Sequence, residues 1–173
     1  MRILAISGSL RAASSNSRLI AALGLLAPPG MEVVVYEGLG ELPHFNPDLD
    51  GDLVPGPAEL RRQVGLCDGL VICSPEYAHG VAGAMKNALD WLVPSLEFPE
   101  TPVALINASP QAHHAQAHMR ETLTVMSARL VEAASIAVSL QGVRLTAEEI
   151  AADPTLGPKI AGVLKAFAEA IAG

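Results

Sequence analysis

Cysteine is nearly missing from this chain: only Cys67 and Cys73 occur in 173 residues. Cys73 ends the apolar run Gly69-Leu70-Val71-Ile72-Cys73 and Cys67 stands just before it. Both therefore read as small, partly or wholly buried hydrophobes, which argues against a disulfide framework, a paired-cysteine metal site or a redox pair. Positive charge is also scarce. Eleven basic residues face 18 acidic ones for a formal charge of −7, and no basic run occurs, so nucleic acid and anionic membrane surfaces are poor partners. No apolar run reaches the length of a membrane span, and the chain starts directly on a strand rather than on a charged and then apolar leader. The expectation is a soluble, cytoplasmic protein. The Gly-x-Ser-x-Gly elbow is absent too: Ser7-Gly8-Ser9 does not supply it, and no nucleophile and base fall in a convincing pairing, so a hydrolase fits badly.

What the chain has in quantity is apolar sequence. Half of its residues are hydrophobic, enough for a substantial core, and with no repeat, low-complexity tract or linker a single domain over residues 1–173 is expected. Strands and helices alternate. Strands are expected at 2–7, 31–36, 69–73, 102–107 and 135–140, and helices at 15–27, 58–66, 80–91, 112–131 and 158–171. Strands apolar on both faces, separated by helices, build a parallel sheet covered on each side, with ligands beyond the carboxyl ends of the strands.

The loop after the first strand, Ser7-Gly8-Ser9-Leu10-Arg11-Ala12-Ala13-Ser14-Ser15-Asn16, runs into a helix. A helix N-terminus carries partial positive charge and unpaired N–H groups. Hydroxyls of Ser9, Ser14 and Ser15, the Asn16 amide and the Arg11 guanidinium could complete a phosphate cradle there, or the serines and Asn16 could merely cap the helix. Neither a Walker loop nor a Gly-x-Gly-x-x-Gly fingerprint is present, because no lysine follows Gly8 at the required spacing and positions 10 and 13 are Leu and Ala. A terminal monophosphate held by side-chain hydroxyls is what remains.

The loop after the third strand reads Ser74-Pro75-Glu76-Tyr77-Ala78-His79-Gly80 and continues as Val81-Ala82-Gly83-Ala84-Met85-Lys86-Asn87-Ala88-Leu89-Asp90-Trp91. Together with Gly8-Ser9-Leu10-Arg11-x-x-Ser14-x-Asn16, and with Leu42-Pro43-His44-Phe45-Asn46-Pro47-Asp48, it resembles the NAD(P)H-dependent FMN reductases, which include quinone, azo-dye and chromate reductases. The resemblance implies a flavodoxin-like three-layer α/β/α sandwich whose five parallel strands run in the order 2-1-3-4-5. It implies that Ser9, Arg11, Ser14, Ser15 and Asn16 hold the FMN phosphate with the main chain of Leu10 close by, that Pro75, Glu76 and Tyr77 lie along the isoalloxazine ring, and that Ser109 joins them from the loop after the fourth strand. Gly80 and Gly83 would fall where a helix begins near the flavin or a neighbouring subunit, and His44 and Phe45 would reach toward a partner. It further implies hydride transfer from NADPH or NADH to bound FMN, then to a quinone, flavin, azo compound or metal oxyanion by a ping-pong mechanism, in a homodimer or homotetramer. The flavin would carry the hydride chemistry, so no catalytic acid or base is required and none is assigned.

Two features pull away from that pattern. The family's Gly-rich loop after the fourth strand is here Asn107-Ala108-Ser109-Pro110-Gln111-Ala112-His113-His114-Ala115-Gln116, without glycine and with a proline that has no N–H. Closer still to the next helix, His114 and His118 stand four apart with Glu121 three beyond, a weak metal-ligand spacing; contact of His113 or His114 with a ligand is the alternative. No metal is assigned. Two further classes stay in view: an electron carrier of the flavodoxin type, disfavoured by the few aromatics available to sandwich a flavin, and a non-catalytic domain that retains the phosphate cradle.

Overall fold

A computed structural model describes residues 1–140, 142 and 144–173. The first two-thirds of the chain lays down β1 (Arg2–Ser7), α1 (Ser15–Leu25), β2 (Glu32–Val35), α2 (Pro55–Gly65), β3 (Gly69–Cys73), a small hairpin of β4 (Glu76–Tyr77) and β5 (Gly80–Val81), α3 (Gly83–Leu92) and β6 (Pro102–Asn107). There follow α4 (His113–Val125), β7 (Arg129–Leu130), β8 (Ile136–Ala137), α5 (Ala147–Ala152) and α6 (Leu156–Ala172).

The central sheet is parallel in the order β2-β1-β3-β6-β7, with β8 also pairing β6. This is the flavodoxin-like order with its fifth strand broken in two. β7 pairs with Pro102 and Val103, β8 with Ile106 and Asn107, and between them Ser135 bridges the gap. Its hydroxyl accepts from the Leu105 N–H at 3.1 Å and donates to the Val131 carbonyl at 3.0 Å, so the Leu105 N–H stays paired at the break.

Strand periodicity explains the three layers. Ile3, Ala5, Val71, Cys73, Ala104 and Ile106 face α1 and α6, where Leu19, Leu23, Val163 and Phe167 cover them. Leu4, Ile6, Leu70, Ile72, Val103 and Leu105 face the opposite way, onto Leu60, Met85, Leu89 and Leu123 of α2, α3 and α4. Every residue of β3 is buried, as a strand covered on both faces requires. Gly69 stands at the foot of that strand because a Cβ there would lie 2.8 Å from the Phe167 ring. Among the described residues no helix is long and apolar enough to cross a membrane.

The extra helix α5 carries a capping box in which Thr146 and Glu149 each satisfy the other's backbone N–H. α4 ends six residues before its expected limit, and Ser127 in the left-handed region (φ 62°) turns the chain into β7. Trp91 is packing: it is fully buried, donates to the Pro43 carbonyl at 2.8 Å and meets Phe45 edge to face at 5.1 Å. Phe45 is thus engaged within its own chain.

Candidate functional site

β1 and β3 run in register from Ile3 opposite Gly69 to Ser7 opposite Cys73, so the loops that follow them leave the sheet side by side. The Gly8 N–H donates to the Cys73 carbonyl at 2.8 Å, and a Cβ on Gly8 would sit 2.7 Å from that of Ser74. Glycine is required here by the neighbouring loop.

At the N-terminus of α1, Ser14 has extended backbone (φ −75°, ψ 131°) and its Oγ accepts from the N–H groups of Asn16 (3.2 Å) and Ser17 (3.4 Å). It caps the helix and lines the cleft at once. Arg18 steadies the same turn, donating to Ser15 Oγ at 3.1 Å and to the Leu145 carbonyl at 2.6 Å. Asn16, also buried, receives the Cys73 S–H on its Oδ1 at 3.1 Å. Burial pushes the Cys73 thiol up to about 12, so it stays protonated and serves as a donor. With its carbonyl oxygen engaged, Asn16 presents its NH2 to the cleft. The Arg11 guanidinium has no hydrogen bond or ion pair among the described residues, and it lines the same space.

The second wall is Pro75, Glu76 and Tyr77. The β4–β5 hairpin begins here rather than the expected helix from Gly80, and α3 starts only at Gly83. Glu76 sends its side chain to α4: Oε2 accepts from the Ala115 N–H at 2.8 Å. That hydrogen bond first, and the neighbouring imidazoles of His114, His79 and His113 after it, hold its carboxyl below the usual range. His114, four residues before His118 on the helix, stacks on His79 with ring centres 4.2 Å apart and planes 24° from parallel. The His113 ring also meets His114, tilted by 36° with ring centres 4.2 Å apart.

The third wall is the glycine-free loop after β6. Asn107 organises it, accepting the Ser109 N–H on Oδ1 at 2.9 Å and donating to the Ala112 carbonyl at 3.3 Å, while Ser109 and Gln111 are linked by their side chains at 3.0 Å. The loop therefore spends the Ser109 amide internally and offers side-chain polar atoms to the cleft.

These walls enclose about 380 Å³, within the roughly 300–1,000 Å³ usual for small-molecule sites. Every expected cofactor residue lines the cleft except Leu10, whose side chain turns outward toward Gly40. Asn107, Ala108, Gln111 and Ala112 line it too; the sequence marked their loop as the counterpart of a Gly-rich one but assigned only Ser109 from it to the cofactor. Gly80, Gly83 and His44 lie outside the lining, and Lys86 with Asp90 forms an ion pair on α3.

A doubly wound parallel sheet with a polar, uncompensated helix end at the carboxyl edge of β1 defines a mononucleotide-binding domain of the flavodoxin type. Comparison with known proteins narrows this further. The family model for NADPH-dependent FMN reductase matches residues 1–142. An NAD(P)H-dependent FMN reductase of Pseudomonas aeruginosa is 32% identical over 145 residues, 80% of this chain and 78% of that protein. A quinone reductase of Escherichia coli K12 is 31% identical over 141 residues, covering 76% and 73%. Among solved structures, the flavoenzyme NAD(P)H:(acceptor) oxidoreductase FerB from Paracoccus denitrificans superposes with a TM-score of 0.79 at 27% identity, over 99% of this chain and 97% of that one. The chain belongs to the NADPH-dependent FMN reductase family and is an oxidoreductase with FMN as cofactor and NAD(P)H as co-substrate.

Proposed function

We propose that the cleft binds FMN with its phosphate on the N-terminus of α1 and its ring between the Pro75–Tyr77 wall and Ser109. The observation that carries this reading is the convergence at one helix end of Ser9, Ser14, Ser15, the Asn16 amide and an Arg11 with no partner among the described residues. A phosphate monoester carries about −1.5 to −2 charges at neutral pH, and this end supplies donors, a dipole and a cation together. The backbone of Leu10 is the remaining member of the cradle. Pro75 offers a rigid apolar surface, and Ser109 and Gln111 offer polar atoms at the far rim in place of the amides of a glycine-rich loop.

When bound, flavin supplies the hydride chemistry, taken from NAD(P)H and passed to a second acceptor in a ping-pong cycle. The chain's own residues bind, orient and shape the cleft. A quinone is the acceptor class best supported by the relatives' activities; free flavin, azo compounds and metal oxyanions belong to the same proposal. Exposed Leu10, Leu53 and Tyr77 support a homodimer or homotetramer. Adding FMN, removing the excess and recording visible spectra before and after anaerobic NADPH tests the reading. Stoichiometric flavin that bleaches, with parallel double-reciprocal plots against a quinone, is expected. Retained flavin that stays oxidised would contradict it.

A further inference from the structure

α4 starts without a cap of its own. Its N-cap residue is Ala112, which makes no side-chain hydrogen bond to the first turn, and the carboxylate that closes this end comes from Glu76, 39 residues earlier. The segment carrying Glu76 is a hairpin of two residues per strand, too short to be stable alone. Its connecting residues, Ala78 (φ 48°) and His79 (φ 61°), both occupy the left-handed region without being glycine. Such strain persists only where surrounding contacts over-determine it, and two contacts here do so: the Glu76 to Ala115 hydrogen bond and the His79 to His114 stack.

Both contacts tie the hairpin to α4, and the two elements carry two of the walls of the cleft: Pro75, Glu76 and Tyr77 on one, the 107–112 loop leading into the helix on the other. We infer that Glu76 is a positioning residue, whose carboxylate seats the hairpin on the α4 N-terminus and thereby sets the spacing of the two walls that would sandwich the flavin. The groups facing it are His79 from the turn and His113 and His114 from α4. In this role Glu76 contributes geometry at the ring end, while phosphate binding at α1 is independent of it. The inference rests on the flavin reading for its effect on affinity, and on the hydrogen bond alone for its effect on the protein.

Two substitutions test it, Glu76→Ala and Glu76→Gln, each read twice. In flavin-free protein, amide exchange at Ala115 is followed by NMR; Glu76→Ala should lower its protection at least tenfold, and Glu76→Gln, whose amide oxygen still accepts, should recover most of it. In titrations with FMN and riboflavin, Glu76→Ala should weaken both by about tenfold and leave their ratio unchanged, with Glu76→Gln again in between. Unchanged protection at Ala115 in Glu76→Ala would overturn the inference. So would a substitution that lowers FMN affinity but spares riboflavin, since that would place Glu76 at the phosphate. Should Glu76→Ala fail to fold, the ordering of wild type above Glu76→Gln in protection decides the matter. A wild-type protein that takes up no flavin would sink the proposed function and leave the exchange experiment standing.

Discussion

Two helices aim their N-termini at one cleft, and they differ in what meets them. At α1 the chain places neutral donors, a serine cap and Arg11, and among the described residues no carboxylate in the first turn compensates the positive pole. At α4 it places Glu76, so the pole is already neutralised from within. The sheet is the same and the helix ends are equivalent by topology; only the side chains brought to them separate the proposed anion site from a joint between elements of the chain. On the proposed reading, a ligand with a single phosphate has one favourable orientation in the cleft.

The contrast can be broken outright by making α1 resemble α4. Ser14→Asp keeps a good N-cap and so should leave the melting temperature within a few degrees, yet it sets a carboxylate where the phosphate would lie. FMN affinity should fall by 100-fold or more, ~2.7 kcal/mol, while riboflavin affinity stays put, as read by flavin fluorescence titration. A smaller loss is expected from Arg11→Ala, about 10-fold, in line with the ~1.5–3 kcal/mol range of a charge-assisted hydrogen bond reduced by exposure. The support beneath the α1 end comes next. Cys73→Val removes the S–H that fixes Asn16 and should weaken FMN several-fold, about 1 kcal/mol, and Cys73→Ser, which keeps a donor, should restore it. Acid should sharpen the comparison with little effect on the fold. Glu76 titrates below its ordinary value of 4.5 in the folded chain, so its contribution is complete above that pH and is lost as pH falls beneath it. Exchange protection at Ala115 should drop on acidification from pH 6 to about 3, whereas Asn16 and Ser17, whose N–H groups bond a serine hydroxyl, should keep theirs.

The two ends were also unequally legible. The α1 cradle lies within one continuous stretch, Ser9 to Asn16, so its residue types and their place between strand and helix could be read directly. The joint at α4 joins residues 76 and 115, and no local pattern announces a cap supplied from so far away. The hairpin that delivers it was read as a loop to Gly80 followed at once by a helix, because Tyr77-Ala78-His79-Gly80 lacks the Asn-Gly or Asp-Gly signature of a two-residue turn; its left-handed residues are held by tertiary contacts. The core strands were readable because burial on both faces makes them apolar throughout. The fifth was expected only over 135–140, because its first half, Arg129–Leu130, fell inside the helix read to 131; the repair by Ser135 is again non-local. α5 did carry a readable signal, the Thr146 and Glu149 pair, in a segment too short for helical periodicity to show.

Paired titrations of the wild-type protein with FMN and riboflavin, which differ only in the phosphate, measure its contribution directly. The uncompensated α1 end predicts FMN binding tighter by about 100-fold, a preference that weakens as salt is raised and vanishes in Ser14→Asp. Equal affinities for the two flavins would contradict the assignment of that helix end as the anion site.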